Sequence, residues 1–183
     1  NVECRFPAHD YETWSVLIDR QDANTLYSGA DDSQLRVWDL RSTSSHVQRC
    51  SLFDGGVCSI LPTRSDPTNH LLCSSYDERI DLLDKRNMKR SVKQSSKLHG
   101  GVWKMKMHES RDQLLCACMH YGVHIVDANE LTSLLYYNGH ELNSLAYGCD
   151  WMPKKTKSDA SSDIVATCSF YNHNLRIWKC FHD

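Results

Sequence analysis

Nowhere in this chain of 183 residues is there an apolar run long enough for a membrane-crossing helix, and no secretory signal pattern is present. Charge of one sign is missing as well. The 21 Lys and Arg against 23 Asp and Glu leave a formal charge of −2, with the two signs interspersed. Such a chain carries no electrostatic footprint for nucleic acid or an acidic membrane, so neither is expected as a partner. The one basic cluster, Lys85-Arg86-Asn87-Met88-Lys89-Arg90, reads as a solvated loop after a strand, with an anion site as the alternative. Also missing are the Gly-x-Ser-x-Gly elbow, the His-Glu-x-x-His helix and any phosphate-cradling glycine loop. Nine cysteines and ten histidines are present, but Cys116-Ala117-Cys118 is not the Cys-x2-Cys knuckle of structural zinc. No metal and no cofactor is expected, and the thiols point to a reduced, intracellular protein.

What is present is a repeat. Ser28-Gly29-Ala30-Asp31-Asp32-Ser33-Gln34-Leu35-Arg36-Val37-Trp38-Asp39 returns as Cys73-Ser74-Ser75-Tyr76-Asp77-Glu78-Arg79-Ile80-Asp81-Leu82-Leu83-Asp84. It returns again from Cys116 to Asp127 and from Cys168 to Lys179. With Asp32, Asp77, His120 and Asn172 aligned, the intervals are 45, 43 and 52 residues. A period near ~40–45 residues that ends in Trp-Asp is the mark of a WD repeat, each copy a four-stranded propeller blade. The predicted fold is therefore all-β: about four blades of a longer WD-repeat β-propeller, for which seven blades are expected. The repeats run over about 9–52, 53–97, 98–138 and 139–183, with a flexible insertion at 154–163. The chain opens at Asn1 inside what reads as a blade, so a fragment of a longer protein is expected.

Each repeat alternates as strands do. Leu35/Val37, Ile80/Leu82, Val123/Ile125 and Leu175/Ile177 fall two apart with polar residues between them, predicting third strands at 35–38, 80–83, 123–126 and 175–178. Val37, Leu82, Ile125 and Ile177 are expected between blades. Cys73, Cys116 and Cys168 are aligned with Ser28, a slot for a small residue in an inner strand where a thiol acts as a small hydrophobe. First strands are expected to begin near Trp14, Gly56, Gly101 and Ser144, and outermost strands at 47–52, 92–96 and 131–137.

Asp32, Asp77 and Asn172 read as structural turn residues. The aspartates are expected to accept hydrogen bonds from the turn and from a histidine near the start of the repeat, with His9, His99 and His140 as candidates. The turns before the first strand and between the second and third open onto one face. That face is expected to carry His120, Tyr121, Tyr76, Glu78, Tyr171, His173, Asp31 and the Gly55-Gly56 and Gly100-Gly101 turns. Rings beside carboxylates suit a cation, whereas the plainer reading is that tyrosines cover the blade edges.

The remaining residues carry a resemblance. Ser28-Gly29-Ala30-Asp31-Asp32, Gly56-Val57-Cys58-Ser59-Ile60, Gly100-Gly101-Val102-Trp103-Lys104, Ala117-Cys118-Met119-His120 and Tyr147-Gly148-Cys149-Asp150-Trp151 are similar to the diphthine methyl ester hydrolases of diphthamide biosynthesis, also called diphthine methyltransferases. The chain departs from that pattern at Asn172, where the family favours Asp, and the early blades of the family are expected to lie outside it. The resemblance implies a cytoplasmic enzyme whose protein substrate is elongation factor 2, and which hydrolyses a methyl ester to give diphthine and methanol. Ester hydrolysis needs a base, a nucleophile or activated water, and donors to the oxyanion. The candidates are His120, then His173 and Asp150, for the base. Tyr76, Tyr121, Tyr171 and Glu78 are the candidates for holding the substrate. Cys118 is a candidate nucleophile, with a packing role expected instead. A non-catalytic WD-repeat scaffold is the alternative.

Overall fold

The period-2 segments all become strands. A computed structural model describes residues 4–141, 143–153 and 162–181, and these form 15 strands in four antiparallel sheets. The first sheet holds β1 (Thr13–Ile18), β2 (Thr25–Ala30), β3 (Leu35–Asp39) and β4 (Gln48–Cys50), and the second holds β5 (Val57–Pro62), β6 (His70–Ser75), β7 (Ile80–Asp84) and β8 (Asn87–Gln94). The third holds β9 (Lys104–Met107), β10 (Gln113–Cys118), β11 (Gly122–Asp127) and β12 (Ser133–Tyr137), and the last holds β13 (Ala146–Trp151), β14 (Ser162–Ser169) and β15 (Leu175–Phe181). Strands pair in chain order within every sheet, the up-and-down meander of a propeller blade. Among the described residues no helix is long and apolar enough to cross a membrane.

Three apolar clusters fill the three spaces between the four blades. Tyr27, Leu35 and Val37 of the first blade meet Val57, Ile60, Leu71 and Leu83 of the second. Leu72 and Ile80 then meet Met105, Leu114 and Val126, while Leu115, Val123 and Ile125 meet Ala146, Val165 and Cys180. The two middle sheets bury both faces because each blade is a wall for the next, whereas the first and last described sheets are each covered on one face. Burial at about 25 cal/mol per Å2 of apolar surface makes these clusters the main stabilising contribution.

Several expectations are corrected here. Val37 and Ile125 are buried and Leu82 is half-buried, but Ile177 is 68% exposed. Ile177 lies on the far face of the last described sheet with Leu175 and Phe181, where no described blade packs against it. Cys168 is not the equivalent of Ser28. Across the hairpins Ser28 pairs with Arg36, Cys73 with Asp81 and Cys116 with His124, and the residue paired with Arg176 is Thr167. The turn of the fourth blade is one residue longer, so Cys168 slides to an exposed position. The outer strands are shifted to 48–50, 87–94 and 133–137. Ser162 and Asp163, expected in the insertion, begin β14, and residues 154–161 lie outside the described residues.

A buried polar link ties the first two blades. Lys85 Nζ donates to Asp19 Oδ2 at 2.7 Å and to the Pro67 carbonyl, and Tyr27 Oη donates to the same Asp19 oxygen at 3.0 Å. Burial pushes the Asp19 carboxyl upward, but the bonds from Lys85, Gln21 and Tyr27 outweigh it and hold the pKa below the usual value.

Candidate functional site

The turn residue in the Asp slot takes a different chemical role in each blade. In the first blade Trp38 Nε1 donates to Ser28 Oγ at 2.8 Å, and Ser28 lies 2.7 Å from His9 Nε2. His9 Nδ1 in turn lies 3.0 Å from both Asp32 oxygens, so the run from indole to carboxylate is closed. Asp32 also accepts from the Gln34 amide, the turn contact expected of it. In the second blade Asp77 accepts from the Arg79 amide at 3.2 Å, but its other donor is the Asp54 amide at 3.0 Å rather than a histidine. His99 points elsewhere, packing on the Tyr121 ring at 5.0 Å. In the fourth blade His140 Nε2 bonds Thr167 Oγ1 at 2.9 Å, and Asn172 Oδ1 accepts from the Ser144 and Ser169 hydroxyls. His140 Nδ1 and Asn172 Nδ2 are left buried without a partner.

His120 fills the same slot in the third blade and is exposed on its turn. The residue before it, Met119, bridges to Ala146 at the start of β13, with the Ala146 amide donating to the Met119 carbonyl at 2.8 Å. His120 therefore stands at the seam between the third and fourth blades. His173, at a φ of 55°, is exposed on the fourth-blade turn. Asp150 is exposed on β13, 3.4 Å from Lys106 Nζ. Glu78 pairs with Lys97 at 3.3 Å. Cys118 is fully buried with its thiol on the Cys116 carbonyl, and burial pushes its pKa far above the ordinary range, which suits packing rather than attack.

The tyrosines divide into two groups. Tyr121 stacks on Tyr136 at 4.8 Å and on the His124 ring at 6.0 Å, along the outer part of the third blade. Burial holds His124 down to a pKa of about 4. Tyr76 and Tyr171 instead flank a row of rings that the sequence did not single out. Trp14 and Trp103 lie 5.1 Å apart, Trp103 and Tyr147 4.8 Å, Tyr147 and Phe170 5.1 Å, and Phe170 and Tyr171 5.0 Å. Tyr76 adjoins Trp14 at 6.5 Å.

This row has a local cause. The innermost strand of the first, second and fourth blades opens with a β-bulge, which leaves Trp14, Cys58 and Tyr147 unpaired. Trp103 holds the same place before β9, its amide donating to the Ala117 carbonyl at 2.9 Å. Bulges re-aim side chains, and here they turn one residue per blade toward the others. Cys58 is the small member, so the indoles of the first and third blades meet across the second. The glycine turns serve as seats: a Cβ on Gly56 would overlap the Trp14 ring, and one on Gly101 would come within 3.1 Å of Tyr76 Cδ2. The recurring bulge position is the signal that could have found these residues, but hairpins of unequal length hide it in the sequence.

A cavity of about 410 Å3 lies at the other end of these strands. Asp19, Arg20, Pro62, Arg64, Lys85 and His108 are among its walls, and none of the turn residues above reaches it. Among the described residues no three His, Cys, Asp or Glu side chains come together as a metal site.

The architecture is that of a WD40 β-propeller. The WD40 propeller domain of Doa1 superposes with a TM-score of 0.75 at 13% identity, over 96% of this chain and 53% of that one. The designed protein Ika4 superposes at 0.68. No family model matches. Among individual relatives, the diphthine methyltransferase homolog of Dictyostelium discoideum is 33% identical over 96% of this chain and 52% of its own length. The human diphthine methyltransferase is 38% identical over 79% of this chain and 33% of its own length, and that of Schizosaccharomyces pombe 31% over 97% and 54%. This chain belongs to the diphthine methyltransferase family and spans about half the length, or less, of the relatives it matches.

Proposed function

We propose that the protein containing this chain hydrolyses the methyl ester of diphthine methyl ester on elongation factor 2, releasing diphthine and methanol as a cytoplasmic step of diphthamide biosynthesis. The observation that carries this reading is kinship: relatives named diphthine methyltransferase match along most of the chain. Water is the second reactant, so the reading needs no cofactor, and its partner is the protein substrate rather than nucleic acid or membrane.

In this reading His120 is the base. It has been released from the structural duty that Asp32 performs, and its exposed turn meets the fourth blade next to the aromatic row. It takes a proton from water, the oxygen attacks the ester carbon, and the tetrahedral intermediate collapses. Methoxide leaves as methanol with the proton His120 held. His173 and Asp150 are the next candidates for the base. Tyr76 and Tyr171 flank the row where the trimethylammonium of the substrate would rest, Glu78 is a further candidate through its pair with Lys97, and Tyr121 contributes from the adjoining blade edge. A non-catalytic scaffold is the second reading, favoured by the exposure of Phe170 and Tyr171, because exposed rings suit protein docking.

Incubating the full-length protein with methyl-esterified elongation factor 2 separates the two. Methanol release, with loss of one methylene of mass from the factor, supports the hydrolase. Tight binding without turnover supports the scaffold.

A further inference from the structure

The row of rings raises a narrower question, which residues read the substrate and by what property. We infer that Trp14, Trp103 and Tyr147, presented at the start of the innermost strands and flanked by Tyr76 and Phe170, form a recognition site for a quaternary ammonium group. The inference rests on the hydrolase reading for the identity of the cation's owner, but not for the site itself.

Four observations converge. The rings form one continuous surface, each centroid 4.8–5.1 Å from the next between Trp14 and Phe170. They are held in place: Trp14 sits on Gly56 and Tyr76 on Gly101, close approaches that a side chain at either glycine would disturb. They remain accessible, with Tyr76 at 42% and Phe170 at 52% exposure and Trp14, Trp103 and Tyr147 half-buried. Carboxylates border the Trp14 side of the row, while the exposed Lys104 directly follows Trp103 in the chain. Asp31 lies against the Trp14 seat, its Cα 3.0 Å from a Cβ built at Gly56, and Asp54 precedes the same turn. Among the described residues neither has a cationic partner, whereas the nearby cations Lys97 and Arg79 are taken up by Glu78 and Gln94. After burial, Asp77 and Asp31 are the next influences that keep the Cys58 thiol protonated, so their field reaches the floor of the row.

This combination selects among ligands. Ring faces attract a cation through their quadrupole, and the attraction grows as the cation sheds water. A trimethylated nitrogen has no N–H to satisfy and gives up its water readily, so it needs rings and a diffuse negative rim rather than a fixed set of acceptors. An apolar peptide would use the rings but would leave the carboxylates uncompensated beneath it.

The full-length protein is titrated with choline and with its neutral carbon analogue 3,3-dimethylbutan-1-ol, followed by tryptophan fluorescence and NMR. Choline is expected to bind at least tenfold more tightly. Trp103→Leu and Trp14→Leu should each remove most of that preference, while Trp103→Phe, which keeps a ring and guards against a folding defect, should retain it. Equal binding of the two probes, or a preference that survives both Leu variants, overturns the site. The same variants are then assayed for methanol release. A choline preference without methanol release sinks the hydrolase reading and leaves the cation site standing. Undiminished turnover in both Leu variants sinks the site and leaves the hydrolase standing.

Discussion

The first and fourth blades share an indole–hydroxyl–histidine run but end it differently. In each, an indole and a histidine share a hydroxyl: Trp38, Ser28 and His9 in one, Trp178, Thr167 and His140 in the other. The first blade closes the run on a carboxylate, and Arg36 Nη2 adds a contact of 3.3 Å to the same Asp32. The fourth does not close, because Asn172 already accepts from two serines and His140 Nδ1 is left unmet. The proton balance follows. Burial, and then the charge of Arg176, push the His140 pKa below its usual value, because no carboxylate answers the imidazolium. A slot that keeps its Asp is scaffold, and a slot that has lost it is free for other work or poorly satisfied.

The largest expected effect tests the freed slot. If the hydrolase reading holds, His120→Ala in the full-length protein should lower turnover by roughly 10²–10⁴-fold, the range for a lost general base, with unchanged melting. Near-normal methanol release would return His120 to the status of a turn residue and move attention to His173 and Asp150. Next comes the occupied slot. Asp32→Ala should cost about 1–3 kcal/mol in urea unfolding because it orphans His9, the Gln34 amide and part of Arg36. Asn172→Ala should cost less than half as much, and equal losses would break the comparison.

Asn172→Asp should complete the relay of the fourth blade and stabilise the protein by about 1 kcal/mol at neutral pH. The expected gain requires the new carboxylate to accept from the unmet His140 Nδ1, as Asp32 does from His9; a lower melting temperature would count against the relay being portable. The smallest effect is in pH. The folded His140 pKa lies below the unfolded value, so the unfolded chain binds more protons and stability falls as pH drops below about 6.5 through the lowered folded value. Calorimetry between pH 7.5 and 5 should show this loss in the native sequence and a shallower one in Asn172→Asp, a difference of about 1 kcal/mol or less. Parallel curves would mean that His140 does not carry the slope.

Much of the fold was legible in particular residues. Leu35/Val37, Ile80/Leu82, Val123/Ile125 and Leu175/Ile177 mark β3, β7, β11 and β15 because a strand facing a core on one side must alternate. The slip at Cys168 came from one extra residue in the last turn, a length that local composition does not announce. Burial of Ile177 failed for another reason: the pattern states which face is apolar, not whether a neighbour covers it. At the candidate site Tyr76 and Tyr171 were readable as turn tyrosines. Trp14 and Trp103, far apart in the chain, come together only because the starts of innermost strands from different blades converge.

The sequence alone determined the repeat, the alternation of each strand and the departures at His120 and Asn172, since these depend on spacing along one chain. Only the tertiary structure decided which histidine meets which carboxylate, which ring meets which ring, and which apolar face finds a wall. Those outcomes depend on hairpin length, bulge position and the packing of separate blades, quantities set by contacts between distant residues rather than by local order.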